Sequence, residues 1–341
     1  MIAKKAGHLR SGGLGSMQLP EITYWEHEII QVKIAMSYPL RWVNSYLVGG
    51  ADGWSIIDPG PRTADNEQAW HDVLQQLDIP WSALQSIVLT HHHPDHYGMS
   101  GWFQQQTGIP VWLSEKAQAE AIRSWGLDST AAHDLVLQFN RNGMPDEITS
   151  QLPDHLHSFI SQVTPQPHTS IIVPGQPLQM GGRTWETIET SGHAAGHISF
   201  YEPEQKMIFC GDAVLPQISP NISLIPGSDP HPLHLYLQGL HELGKYEVEQ
   251  AYPGHRRPFT AFQERTIKLL EHHSERLDKM EHMLRQQPSS GYDICIGLFN
   301  SKLSLHQLRF AMSETLAHLA ELERCGRIRH EEQNGHIIYA T

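Results

Sequence analysis

Four histidines and an aspartate crowd into six consecutive positions, 91 to 96, in the stretch LTHHHPDHYG. Imidazoles this close repel one another when protonated, and they add little to a core. The chain must fold so that they serve something else. In an extended segment His91 and His93 point to the same side and can grip one cation. His92 points the other way. Pro94 bends the chain, so Asp95 and His96 face a second position nearby. Imidazole and carboxylate together suit borderline divalent metals. The segment supplies two partial sites, and the missing ligands must come from the ends of other strands.

The surrounding pattern provides such strands. ITYWEHEIIQVKIAM and WVNSYLVGGADGWSIIDPG read as strands joined by a hairpin, with a turn at residues 49–53. TADNEQAWHDVLQQLDI reads as a helix capped by Thr63 or Asp65. LQSIVLT is a short buried strand that runs directly into the histidines. MSGWFQQQTG is helical and IPVWLS is the next strand. Residues 114–162 differ in texture and predict a helical insertion. Beyond them come a hairpin at residues 180–183, a strand pair in ISFYEPEQKMIFCGD, and a last strand in VEQAYPGH.

After His255 the periodicity turns helical. TAFQERTIKLLEHHSERLDKMEHMLRQQ predicts one long helix. SLHQLRFAMSETLAHLAELERCG predicts another, stopped by Gly326 as a left-handed terminator. RIRHEEQNGHIIYAT predicts a hairpin turning at Asn334-Gly335. Helices followed by a terminal hairpin resemble a winged-helix module. The expected division is a tag or linker over 1–16 ahead of a native Met17, a main domain over 17–260 and a C-terminal module over 261–341.

Composition narrows the classes. Hydrophobic residues make up 39% of the 341 positions and charged residues 18%, with no long single-sign block, so a packed core is expected rather than disorder. The net charge of −13 disfavours a nucleic-acid partner. Three widely spaced cysteines, Cys210, Cys295 and Cys325, argue against a disulfide framework and for the reducing cytoplasm. They are expected in the core. No run of about 18 apolar residues is present, so no membrane span is expected.

Three distant residues complete a site. His193 in SGHAAGH, Asp212 in FCGD and His255 in YPGH each follow a strand and sit beside glycine, where backbone can approach a metal closely. THHHPDHYG, SGHAAGH, FCGDAVLP and YPGH, with IIDPG upstream, resemble the metallo-β-lactamase superfamily in motif and in order, over roughly residues 20–260. The resemblance implies an α/β, four-layered αββα sandwich with metals at one edge between two sheets. It implies that His91, His93 and His193 hold one metal, that Asp95, His96 and His255 hold a second, and that Asp212 bridges them with a water or hydroxide. Asp95 and Asp212 are then the catalytic carboxylates. Asp58, in IIDPG, resembles a carboxylate that orients a ligand imidazole. His197 becomes an outer or structural residue, and His92 a packing residue.

Two divalent ions, zinc first with iron or manganese as alternatives, would turn bridging water into a nucleophile near neutral pH. The expected activity is hydrolysis of an ester-like small molecule: a thioester, lactone or relative. The alternatives are phosphodiester or RNA cleavage, which a winged-helix-bearing subgroup includes, and β-lactam-like amide hydrolysis. A redox or binding role for the same site is the reading from another class. The C-terminal module is read as closing the active-site wall or forming a homodimer. Tyr97 is expected to pack. His231 and His234 are expected at a loop and helix start, His272 and His273 in solvent, and Arg256 and Arg257 in surface ion pairs.

Overall fold

The computed structural model describes residues 19–37, 40–299 and 302–341. The expected tag over 1–16 and the start at Met17 lie outside the described residues. The first sheet has seven strands in sequence order: β1 (Ile22–Trp25), β2 (Ile29–Ala35), β3 (Trp42–Gly50), β4 (Gly53–Ile57), β5 (Leu84–Val88), β6 (Val111–Ser114) and β7 (Thr169–Ile172). The second has five, in the order β12-β11-β10-β9-β8, from β8 (Leu178–Met180), β9 (Arg183–Glu189), β10 (Ile198–Glu202), β11 (Met207–Gly211) and β12 (Gln250–Pro253). A third, small sheet joins β13 (Ser289–Ser290), β14 (Arg329–Gln333) and β15 (His336–Ala340).

The helices are α1 (Ala64–Gln76), α2 (Pro94–Tyr97), α3 (Ser100–Thr107), α4 (Glu115–Trp125), α5 (Ala131–Arg141), α6 (Asp146–Thr149), α7 (Leu152–His157), α8 (Pro232–Leu243), α9 (Phe262–Gln286), α10 (Gly291–Phe299) and α11 (Leu305–Arg324). Thr63 caps α1 by accepting from the Asn66 amide. Ser304 and Gln307 form a reciprocal capping box on α11. The insertion carries α4 to α7. The C-terminal segment runs helix, strand, helix, helix, strand, strand.

Strand alternation builds the layers. On β3, Val43 and Leu47 face α1, α3 and α4, packing with Trp70, Phe103 and Ala117. Tyr46 and Val48 face the other way and meet Trp185, Phe200, Phe209 and Tyr252 of the second sheet. The far face of that sheet, through Ile208 and Ala251, packs on Tyr236 of α8, Phe262 and Leu269 of α9, and Met312 and Leu316 of α11. Helices, sheet, sheet and helices therefore stack as the expected four-layered α/β sandwich.

Three local expectations are corrected, and one helix is added. ITYWEHEIIQVKIAM is two strands, because Glu26–Glu28 form a turn in which His27 and Glu28 have φ of 59° and 56°. His273 is fully buried, not solvent-facing. It shares the α9 face of Leu269 and Leu277, one turn either side. Cys325 is exposed, because α11 ends before it, while Cys210 and Cys295 are buried as expected. Helix α10 is the addition, its nine residues lying between the two longer helices.

Candidate metal centre

Each candidate ligand sits where a strand runs out. β5 ends at Val88 and delivers His91. His93 precedes α2, whose first residue is Pro94, a position that suits its fixed φ. That single turn carries Asp95 and His96. His193 follows β9, Asp212 follows β11 and His255 follows β12. Because β11 and β12 are parallel, with Gly211 opposite Pro253, Asp212 and His255 emerge side by side. Gly254 has no room for a side chain: a Cβ would lie 2.3 Å from Asp212 Oδ1 and 2.6 Å from His96 Cε1.

Seven side chains converge. His91, His93 and His193 place one potential ligand atom each within 4.8 Å of the others, and so do Asp95, His96 and His255. His91, His96 and Asp212 form an overlapping third group. Asp212 lies between the two triads. Its Oδ2 is 3.6 Å from His193 Nε2 and 3.4 Å from His255 Nε2, and its Oδ1 is 3.6 Å from His96 Nε2. Asp95 Oδ2 is 3.2 Å from His255 Nε2.

The outer hydrogen bonds orient the rings. Asp58, at the end of β4 with φ 51°, accepts from the Thr90 amide at 2.8 Å and from Thr90 Oγ1 at 2.7 Å. It also accepts from His96 Nδ1 at 2.8 Å. Thr90 Oγ1 donates its hydroxyl hydrogen bond to Asp58, so it accepts from His91 Nδ1 at 2.9 Å. His193 Nδ1 donates to the Asn221 carbonyl at 2.8 Å, and His255 Nδ1 to the Trp42 carbonyl at 3.1 Å. These bonds occupy the Nδ1 atoms and leave the Nε2 atoms of His91, His96, His193 and His255 turned inward. His93 differs: its Nδ1 faces His91 Nε2 at 3.0 Å.

The electrostatics divide the cluster. Burial, reinforced by neighbouring imidazoles, holds His91 and His93 well below the usual histidine range, and burial also lowers His193. These rings are neutral, the form in which an imidazole can ligate a metal. Burial alone would lower His96 and His255 too, but the carboxylates of Asp212 and Asp95 outweigh it. They raise His96 well above its ordinary value and push His255 up to about 10. Asp212 is driven well below the carboxylate range, because His255 and His96 overcome the opposing effect of burial. The carboxylates favour positive charge at this point, and a divalent cation would supply it.

Buried atoms without partners make the same case. His96 Nε2, His193 Nε2 and Asp212 Oδ1 are buried with no hydrogen-bond partner. Leaving such atoms unpaired costs about 1–3 kcal/mol each. A nitrogen and oxygen donor set of this kind fits divalent metal ions.

The remaining expected residues take other places. His197 is fully buried; its Nε2 accepts from the Asp212 amide at 3.1 Å, and its Nδ1 pairs with Thr190 Oγ1 at 2.8 Å. His92 is buried beside the cluster, its carbonyl accepting from Trp125 Nε1 at 3.3 Å. Tyr97 packs in the core between the first sheet and its helices. His231 precedes α8, and His234 lies 3.9 Å from Glu321. Arg256 is half-buried past His255, and its carbonyl accepts from Asn44.

One connection had no sequence signal. Asn221, whose carbonyl holds His193, donates from its side chain to Glu314 of α11 at 2.9 Å and to the Phe310 carbonyl at 3.2 Å. Glu314 also pairs with Arg276 of α9. The C-terminal helices therefore reach a candidate ligand through one residue.

Comparisons with known proteins point to one family. The family model described as Metallo-beta-lactamase superfamily matches residues 39–255, and the one described as Metallo-beta-lactamase-like, C-terminal domain matches residues 277–341. A probable metallo-hydrolase of Bacillus subtilis, YqjP, is 26% identical over 303 residues, covering 87% of this chain and 92% of its own. A hydroxyacylglutathione hydrolase of Haemophilus influenzae is 29% identical over 47% of this chain and 60% of its own. An atrochrysone carboxyl ACP thioesterase of Aspergillus chevalieri is 27% identical over 61% of this chain and 52% of its own. A metallo-beta-lactamase family protein of Thermus thermophilus has a crystal structure that superposes with a TM-score of 0.80 at 30% identity, covering 92% of this chain and 98% of that one.

Proposed function

Because the chain belongs to the metallo-β-lactamase superfamily and is a metallo-hydrolase, we propose that it hydrolyses thioesters at a two-metal centre. The observation that carries the two-metal part of this reading is the convergence of two ligand triads on a shared carboxylate, with buried donor atoms left unpaired. His91, His93 and His193 would hold one ion, Asp95, His96 and His255 the other, and Asp212 both. Zinc suits this nitrogen-rich set. Such ions supply a water of pKa about 7 and polarise a carbonyl oxygen.

The chain's own residues set up the rest. Asp58 and Thr90 fix two rings at once, so His91 and His96 cannot turn independently. Asp95 is the more open carboxylate, its side chain 20% exposed against 9% for Asp212, and it lines the adjoining cavity. It is placed to orient a water that enters from that cavity. A thiol leaving group has an ordinary pKa of about 8.5 and departs as a thiolate without a proton donor, which an amine would need.

Two relatives support the substrate class. One is named for hydroxyacylglutathione, itself a thioester, and the other is named a thioesterase. The test is a matched panel of a thioester, a lactone, a β-lactam, an aryl phosphodiester and an RNA, run with zinc-loaded wild type and His93→Ala. Thioester turnover that is fastest in the panel and lost in His93→Ala is expected. Preference for any other substrate, or equal thioester turnover by the variant, overturns the reading.

A further inference from the structure

The metal cluster closes only one end of a larger cavity. The cavity measures about 990 Å³, at the top of the range of about 300–1,000 Å³ that small-molecule sites span. Asp95, His193, Asp212 and His255 line that end. The other walls come from the helical insertion and from the first half of α11.

Those walls are mostly apolar, with Glu120, Asp229, Gln307 and Glu314 among the polar side chains that also line them. Trp125 ends α4, Leu135 lies on α5, Leu156 on α7, and Phe159 follows it. Phe310 projects from α11, and Ile225 joins from the loop before α8. Leu127, fully exposed, extends the lining. One exposed leucine is ordinary, but this one continues an apolar wall. Among the described residues the arginines of the lining are Arg123 and Arg309. Arg123 is tied to Glu120 and to the Pro226 carbonyl at 2.9 Å. Arg309 lies over the rings of Phe310 and Phe159, 4.1 and 5.9 Å from their centroids. The cations are thus engaged with the wall itself. His155 of α7 and His306 of α11, 3.3 Å apart, join the insertion to α11, and His306 lines the cavity.

We infer that this cavity holds the acyl part of the substrate, and that the acyl group is a long hydrocarbon chain of fatty-acyl size. A short polar acyl group would leave the walls against water. A methylene moved from water to such a wall strengthens binding about fourfold. The carbonyl then lies at the histidine and aspartate end, and the polar thiol carrier faces outward. The inference rests on the thioesterase reading for the reaction, though not for the binding of the chain.

Binding and turnover test it separately. Straight-chain fatty acids of four, eight, twelve and sixteen carbons are titrated calorimetrically into the zinc-loaded protein. Coenzyme A thioesters of the same chains are assayed alongside. Affinity is expected to rise about two- to fourfold per methylene until the cavity is filled, and kcat/KM to follow it. Leu135→Trp and the less buried Ile225→Trp fill the wall. Each is expected to cut affinity for twelve and sixteen carbons at least tenfold more than for four, with native circular dichroism retained. Affinity that is flat with chain length, or unmoved by Ile225→Trp in folded protein, overturns the acyl site, and short-chain thioester turnover would then still support the hydrolase reading. Length-dependent binding without thioester turnover supports the acyl site and overturns the reaction.

Discussion

Asn221 donates its side-chain amide to Glu314 at 2.9 Å while its carbonyl accepts from His193 Nδ1 at 2.8 Å. One loop residue thus joins the C-terminal helix α11 to the candidate metal centre. Partners of ligand imidazoles typically matter by about 10- to 100-fold in metal affinity. Glu314→Ala should weaken binding of one zinc ion by that order, and Glu314→Gln, which keeps an acceptor for Asn221, should weaken it far less. Competition with a chromophoric chelator measures both. Equal affinities for Glu314→Ala and wild type would disconnect the helix from the site. Melting temperatures of the same variants report any separate cost of leaving Arg276 unpaired.

Gly254→Ala asks whether Asp212 must stand where it does. The added methyl would meet Asp212 Oδ1 at 2.3 Å and His96 Cε1 at 2.6 Å. Both groups belong to the cluster, so the variant should lose most of its zinc and activity while the far-ultraviolet dichroism stays native. Full zinc loading in Gly254→Ala would show that the carboxylate tolerates displacement.

Asp58 accepts three hydrogen bonds in a buried corner. Asp58→Ala strands those donors, at about 1–3 kcal/mol each. It also frees His91 and His96 to rotate. Lower thermal stability and weaker zinc binding should appear together. A variant with normal zinc affinity would limit Asp58 to a structural part.

Acid sensitivity should trace to a second buried pair. His273 Nδ1 lies 3.0 Å from His318 Nε2, and His318 Nδ1 donates to the Glu314 carbonyl at 2.7 Å. Burial is the main cause that lowers His273 from 6.5 to about 2 and His318 to about 3. His272 and Arg276 push both the same way, while Glu321 and the Glu314 carbonyl oppose the shift at His318. Both rings are neutral when folded and protonate near 6.5 when unfolded. Their stability contribution is complete above pH 6.5 and falls below it, by about 1.4 kcal/mol per pH unit for each ring. Urea unfolding of wild type and a His273→Leu, His318→Leu double variant at pH 7.5, 6 and 5 should give a shallower decline in the double variant. Parallel declines would assign the acid sensitivity elsewhere.

The candidate site was legible because its ligands follow strands and stand beside glycine, a local signal repeated at His193, Asp212 and His255. The layered fold was legible from alternation such as that of Val43, Tyr46, Leu47 and Val48. Other features left weaker traces. The turn at Glu26–Glu28 carries no glycine, proline or asparagine, so the alternating run concealed it. Asn221 acts on His193 through a carbonyl, which every residue owns, and its side-chain partner lies 93 positions away. The burial of His273 did leave a signal, since 269, 273, 277, 280 and 284 share one face of α9. Its polarity hid that spacing. The cavity walls join the insertion to α11, and no local pattern announces such an encounter.

His91, His93, Asp95, His96, His193, Asp212 and His255 are proposed to hold two ions between them. Metal content per chain, measured by plasma mass spectrometry on zinc-loaded protein, tests that proposal most directly. Wild type should carry about two ions, and His193→Ala and His255→Ala about one each. Wild type with one ion or fewer, or His255→Ala with the same content as wild type, would contradict the two-metal assignment.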